Sequence, residues 1–449
     1  MTGRAWLGVA LIALCASATA ALWLRCEGDG PSLRGPQQLL LGQRGAQLEI
    51  AARDPGSGLR LIRVLLIQGN RQQILAERDL PGNLLVGGAA GRDAAEALAL
   101  QLEPGARGLQ EGEALLRVEA VDWSWAHGLA GNRSQLEVPV RVDLSPPRLA
   151  VESGLTYVRR GGAALVVYRV GEPVAGDGVR VGDRLYPGHP FPGSEDPALR
   201  VALFAVPRDA PAPVRLRVWA EDRAGNPSET GWPARLQERS FEEVRISLSP
   251  RFLEGRVRSL ARHLGVDAGD PVAAFQKINR DVRRQNEQRI QEIVSRSSDR
   301  PLWQGAFLQL RGSAVTSRFA ERRHYLWKGE PISEAIHYGT DLASTAGAAV
   351  QAANAGRVLF AGDLGIYGGC VILDHGLGVA TLYGHLSRID VKVGERVERG
   401  AELGRTGATG LAGGDHLHYA VLVGGTYVDP REWWDPRWVQ SHVEARLRR

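Results

Sequence analysis

Five of the chain's ten histidines fall between residues 337 and 418. Four of them stand in three short stretches: His337-Tyr338-Gly339-Thr340-Asp341, Tyr383-Gly384-His385-Leu386-Ser387 and Gly414-Asp415-His416-Leu417-His418-Tyr419. A hydrolytic zinc site takes three nitrogen or oxygen ligands and leaves a fourth position open for water. His337, Asp341 and one of His416 and His418 meet that need. Side chains two apart on a strand project to one face, so His416 and His418 can serve one site with separate jobs, one on the metal and one on protons. There is no His-Glu-x-x-His, which excludes the helical zinc-protease arrangement. Cys15, Cys26 and Cys370 supply neither a disulfide framework nor a Cys-x-x-Cys pair. Any metal is therefore held by histidine and carboxylate. His375, in Asp374-His375-Gly376, reads as a turn or supporting residue because the three-ligand set is already full.

Further motifs run from about Gly312 to Asp429: Val315-Thr316-Ser317-Arg318-Phe319, the turns around Gly347 to Ala352 and Asn354 to Val358, and Gly404-Arg405-Thr406-Gly407-Ala408-Thr409-Gly410. On these residues the segment resembles the lysostaphin-like or LytM-type zinc metallopeptidases. The resemblance implies a small antiparallel β domain with a duplicated hybrid motif. It also implies one zinc ion per chain held by His337, Asp341 and His418, with His385 and His416 flanking the catalytic water as proton carriers whose two roles are not assigned. The substrate it implies is the peptide stem or cross-link of bacterial peptidoglycan. All five positions are filled, which separates the chain from members of the family that lack ligands and act as activators of amidases. Two departures stand out. Ala320 occupies a place where glycine is common, and Asp415 precedes the His-x-His, where it is placed to adjust the neighbouring imidazoles. The rival readings are a wall-binding or activator protein without turnover, and a self-inhibited peptidase released by a partner.

The elements that must position these residues belong to a chain too long, at 449 residues, for one core. From 37 to 145, short β-type runs such as Ala46 to Ala52 and Leu59 to Ile67 are broken by Gly, Pro, Asn and Asp, the pattern of a β sandwich. A second set fills 146–248. Leu116 to Asp122 followed by Gly131-Asn132 recurs as Leu216 to Asp222 followed by Gly225-Asn226, an offset of about one immunoglobulin-sized domain. The expectation is two immunoglobulin-like sandwiches acting as a spacer, with a regulatory protein as their possible partner. No convergent set of histidines or carboxylates is visible in them. Residues 249–300 read as a helical linker, with Asp270-Pro271 a helix start and Phe275, Ile278, Val282, Ile290 and Val294 on one face. The peptidase domain spans 301–435 and a tail 436–449. The fold class is mainly β.

Trp6 to Leu24 carries no charge over nineteen residues, the length of a membrane span. The expectation for 1–24 is an uncleaved anchor in the bacterial inner membrane, single-pass, with the catalytic domain in the periplasm. A cleaved signal peptide at Ala18-Thr19-Ala20 is the alternative. The net charge of +5 comes from arginine spread along the chain, lysine standing only at 277, 328 and 392. Without clustered charge there is no nucleic-acid partner. Trp433 and Trp434 read as a packing anchor for the β domain.

Overall fold

The computed structural model describes residues 13–17, 19, 25–88, 95–266 and 269–448. They divide into two compact units, Met1–Pro146 with Glu221–Pro227, and Pro147–Ala220 with Ser228–Arg449. Both are mainly β.

The membrane expectation is corrected here. Most of the 6–24 run lies outside the described residues, and its described part includes one short helical stretch at 13–17. Among the described residues no helix is long and apolar enough to cross a membrane, so a single-pass inner-membrane protein is not supported.

In the first unit a three-stranded sheet, Ser32–Arg34, Ala46–Arg53 and Ala95–Leu102, and a five-stranded sheet that includes Leu59–Gln68, Gly112–Asp122 and Arg133–Val142 enclose one core. Alternation along the strands decides which side chains enter it: Leu48, Ile50 and Ala52 are buried while Gln47 and Glu49 are exposed. The repeated Asp and Gly-Asn residues make the same bonds in both copies. Asn132 N–H and Nδ2 donate to the two oxygens of Asp122, at 2.7 and 2.9 Å. Asn226 does likewise to Asp222, at 2.9 and 2.7 Å. The preceding glycine turns at φ 83° and 82°, a conformation other residues adopt at a cost.

The second unit is built on an eight-stranded antiparallel sheet. Its order is Ala314–Ser317, Thr340–Ala343, Leu417–Val423, Val379–Leu386, Gly369–Gly376, Gly356–Asp363 and Arg396–Val397, with Thr426–Val428 also paired to Leu417–Val423. The central strands are buried on both faces, and they read as near-continuous apolar runs for that reason. One face packs with strands from 149–220 and with Trp303, Phe307 and Trp433 in a single core. There Glu432 accepts from Ala163 N–H at 3.0 Å, and Tyr186 and Thr426 hydroxyls meet at 2.8 Å. Trp433 is fully buried against Trp303 and Phe307, and Trp434 stacks on Tyr419, so both pack as anchors.

The other face of the sheet joins a core with the helical segments between Phe252 and Val294. Leu253, Val257, Leu260, Phe275, Ile278, Ile290, Ile293 and Val294 are buried there together with Ile372, Leu382 and Leu422. The Asp270 carboxylate caps the start of Pro271–Lys277 by accepting from Ala273 N–H at 3.0 Å. Polar contacts reinforce the docking. Glu287 accepts from the Tyr367 and Tyr427 hydroxyls at 2.6 and 2.7 Å, and Gln291 donates to the Gly425 carbonyl at 2.7 Å.

Candidate active site

Sheet register brings the three histidine-bearing stretches together. Asp341 on Thr340–Ala343 stands directly opposite His418 on Leu417–Val423, and His418 is in turn opposite Gly384, the neighbour of His385. His337 follows the strand Glu330–Ile336, and the chain turns through Gly339 to bring His337 back over Asp341. That turn has no room for a side chain: a Cβ on Gly339 would lie 2.5 Å from His418 Cε1. The result is a buried triangle. His337 Nε2, His418 Nδ1 and Asp341 Oδ1 are separated by 2.9, 2.9 and 3.0 Å, and these three residues group as a possible metal site.

Hydrogen bonds to backbone carbonyls set the proton positions. A carbonyl only accepts, so His337 Nδ1 carries the proton that goes to Arg318 O at 3.0 Å. His385 Nδ1 donates to Thr409 O at 2.9 Å and His416 Nδ1 to Gly414 O at 2.9 Å. In each neutral ring the lone pair is thereby left on Nε2. For His337 this sets a nitrogen lone pair 2.9 Å from a carboxylate oxygen, with no donor between them. Such a contact is repulsive unless a cation or an extra proton fills it. The nitrogen and oxygen donor set suits zinc, and the three residues fit the ion.

His385 and His416 stand beside the triangle, their rings 4.8 Å apart, with His416 Nε2 3.6 Å from Asp341 Oδ1. His385 is held at φ 64°, a left-handed conformation that is strained for a residue with a Cβ and is found at functional sites. Burial, reinforced by His418 and His416, lowers the His385 pKa to about 3; burial also lowers that of His418, to about 4. Burial would raise the Asp341 carboxyl; with protons on the facing imidazole nitrogens of His337 and His418, those rings outweigh it and hold the group well below the usual carboxylate range, the place a cation would otherwise take.

Arg323, which no sequence motif marks, donates to Asp341 Oδ2 at 3.0 Å and to Glu321 Oε2 at 3.4 Å. Asp341 thus turns one oxygen to the imidazoles and the other to a guanidinium. Arginine is the commonest charged residue in this chain, and nothing in the spacing of Arg322-Arg323 marks it out. His375 is buried away from the site, its Nδ1 donating to Ala355 O at 2.7 Å and its Nε2 lying 2.7 Å from Thr381 Oγ1. Asp415 is a loop pin rather than an imidazole partner: it accepts from Thr406 Oγ1 at 2.7 Å and from Gly347 N–H at 3.1 Å. Ala320, in the place where glycine is common, sits at φ 67°.

A groove of about 420 Å³ reaches all five residues, with Phe252, Phe275 and Arg283 from the helical segment on its wall. The helices line the groove without filling it. In the first unit the structure corrects the expectation of no convergent carboxylates. Glu27, Asp54 and Asp122 come together through packing between distant stretches of chain. Their oxygens accept from the backbone N–H groups of Ser57, Gly58 and Asn132.

Residues 335–430 match the model of Peptidase family M23, so the segment holding all five site residues is a peptidase domain of that family. Among curated relatives, a DD-carboxypeptidase/endopeptidase Mpg of Neisseria meningitidis is 36% identical over 119 residues, 26% of either chain. A peptidoglycan DD-endopeptidase ShyA of Vibrio cholerae is 36% identical over 117 residues, again 26% of each. The chain therefore matches about a quarter of the length of these relatives. The catalytic domain of lysostaphin from Staphylococcus simulans is 27% identical, covering 29% of this chain and 98% of its own, with a TM-score of 0.25.

Proposed function

We propose that the chain is a zinc metalloendopeptidase that hydrolyses peptide stems or cross-links of peptidoglycan. The observation that carries the metal is the His337 tautomer: with Nδ1–H given to Arg318 O, the Nε2 lone pair faces the Asp341 carboxylate at 2.9 Å and calls for a cation. His337, Asp341 and His418 would hold the ion, which supplies Lewis acidity for peptide hydrolysis. His385 and His416 each present an Nε2 lone pair beside it. Either atom is able to take a proton from the attacking water and return it to the leaving amine. His416 is the more exposed of the two, which suits exchange of that proton with solvent. Peptidoglycan as substrate is supported by the name of the Vibrio cholerae relative over the matched domain. The β segments at 37–145 and 146–248 are read as immunoglobulin-like, supported by the paired sheets around one core in the first unit.

The test uses the full chain and a His418→Ala variant. Zinc per chain and release of new amine groups from purified peptidoglycan are measured in parallel. Stoichiometric zinc with amine release, both lost in the variant, is the expected result. Absence of zinc in the wild type would overturn the reading in favour of a binding protein.

A further inference from the structure

We infer that Arg283 reads a free carboxylate on the bound peptide and so sets substrate preference. The inference rests on the peptide-hydrolase reading above. Arg283 opens the helix Arg283–Val294, outside the segment matched to the family, yet it lines the groove that holds His337, Asp341, His385, His416 and His418.

The side chain is held, not loose. Its Nη2 donates to Asn279 Oδ1 at 2.8 Å. Asn279 is itself buried and tied to Ser333 Oγ at 2.8 Å and the Glu334 carbonyl at 3.2 Å. This anchoring uses one edge of the guanidinium and involves no counter-charge. The other arginine on the groove, Arg323, is already neutralised by Asp341 and Glu321. Glu287, one helical turn beyond Arg283, gives its two oxygens to the Tyr367 and Tyr427 hydroxyls. Among the described residues no carboxylate stands within ion-pair distance of Arg283, although the buried Glu287 feels its charge; Arg283 lines the groove as a half-buried cation.

Around it the wall is apolar, formed by Phe252, Phe275 and Ile366. A cation held against such a wall loses hydration that an ion partner would replace. The guanidinium fork matches a carboxylate in two parallel hydrogen bonds, which no neutral amide reproduces. Stem peptides carry free carboxyl groups beside their amide bonds, so the ligand class is an acidic peptide and the group read is its carboxylate.

The probe is dansyl-L-Ala-D-Glu-L-Lys-D-Ala, with a second peptide in which both carboxyls are carboxamides. Binding of each to the full chain is followed by fluorescence anisotropy at 4 °C. The free acid should bind roughly ten-fold more tightly than the diamide, the scale of a charge-assisted pair. Arg283→Gln, which keeps a hydrogen bond to Asn279 within reach, should bring the ratio to within about two-fold, and Arg283→Lys should retain part of it. Equal affinity of the wild type for acid and diamide would overturn the inference. So would a variant that weakens both peptides alike, the signature of a structural role, or no binding of either. Failure of the hydrolase reading is seen separately, as missing zinc or missing amine release while the acid preference stands.

Discussion

Removing everything before the peptidase domain should unfold that domain instead of releasing it. In a chain cut to residues 301–449, one face of the sheet loses the strands from 149–220 and the other loses the helices, and the helix side alone is enough to decide the outcome. Tyr325, Ile366, Tyr367, Ile372, Leu382 and Leu422 belong to the core shared with those helices. Each large apolar side chain is worth about 1.5–3 kcal/mol when fully buried, so full exposure of six costs roughly 9–18 kcal/mol. Even half of that rivals the roughly 5–15 kcal/mol by which a whole protein is stable. Polar losses add to it. The buried Asp374 carboxylate forfeits its bonds from Ser297 Oγ at 2.6 Å and Ser298 N–H at 3.0 Å. The assay compares the full chain with 301–449 by near-UV circular dichroism, dye binding to exposed apolar surface, and urea unfolding. The truncated chain should aggregate or show no cooperative transition. A monomeric 301–449 with a cooperative transition and near-normal stability would refute the reasoning, and higher peptidase activity in it would restore the self-inhibition reading.

Other outcomes follow from single contacts. Arg323→Met leaves Asp341 Oδ2 without its donor, and should weaken zinc binding roughly 10–100-fold, as is usual for groups that orient a metal ligand. Competition with a chelator measures this, and an unchanged affinity would show Arg323 to be dispensable. Ala320→Gly relieves a residue at φ 67°. The strain of about 1–2 kcal/mol, less the about 0.4–1 kcal/mol lost to a looser unfolded chain, predicts a gain near 0.5–1 kcal/mol in urea unfolding, and a loss would count against strain there. His375 titrates near 4 because burial disfavours its charge. Its folded value lies below the usual ~6.5, so the stability it carries is complete above pH 6.5 and drains as pH falls toward 4, by about 3 kcal/mol in all. His375→Gln should flatten the pH dependence of unfolding between pH 7 and 4.5; an identical slope would assign the acid sensitivity elsewhere.

How much of this was legible without coordinates differs from residue to residue. The site's ingredients were, because a zinc centre restricts ligand types severely and few residues qualify: His337, Asp341, His385, His416 and His418 can be picked from the chain by type and short spacing. Alternation on a strand also shows that His416 and His418 share a face. It does not show which of the two meets Asp341. That was decided by the pairing of Thr340–Ala343 with Leu417–Val423, a register between segments far apart in the chain. Arg323 was invisible for the same reason, since the donor that orients Asp341 lies on another strand and belongs to an abundant residue type. The helices at 252–294 showed their apolar face in the spacing of Phe275, Ile278, Ile290 and Val294. What that face covers depends on a sheet whose strands are assembled from residues 314–428. Periodicity reports that a face must be buried, while only the folded sheet specifies against what.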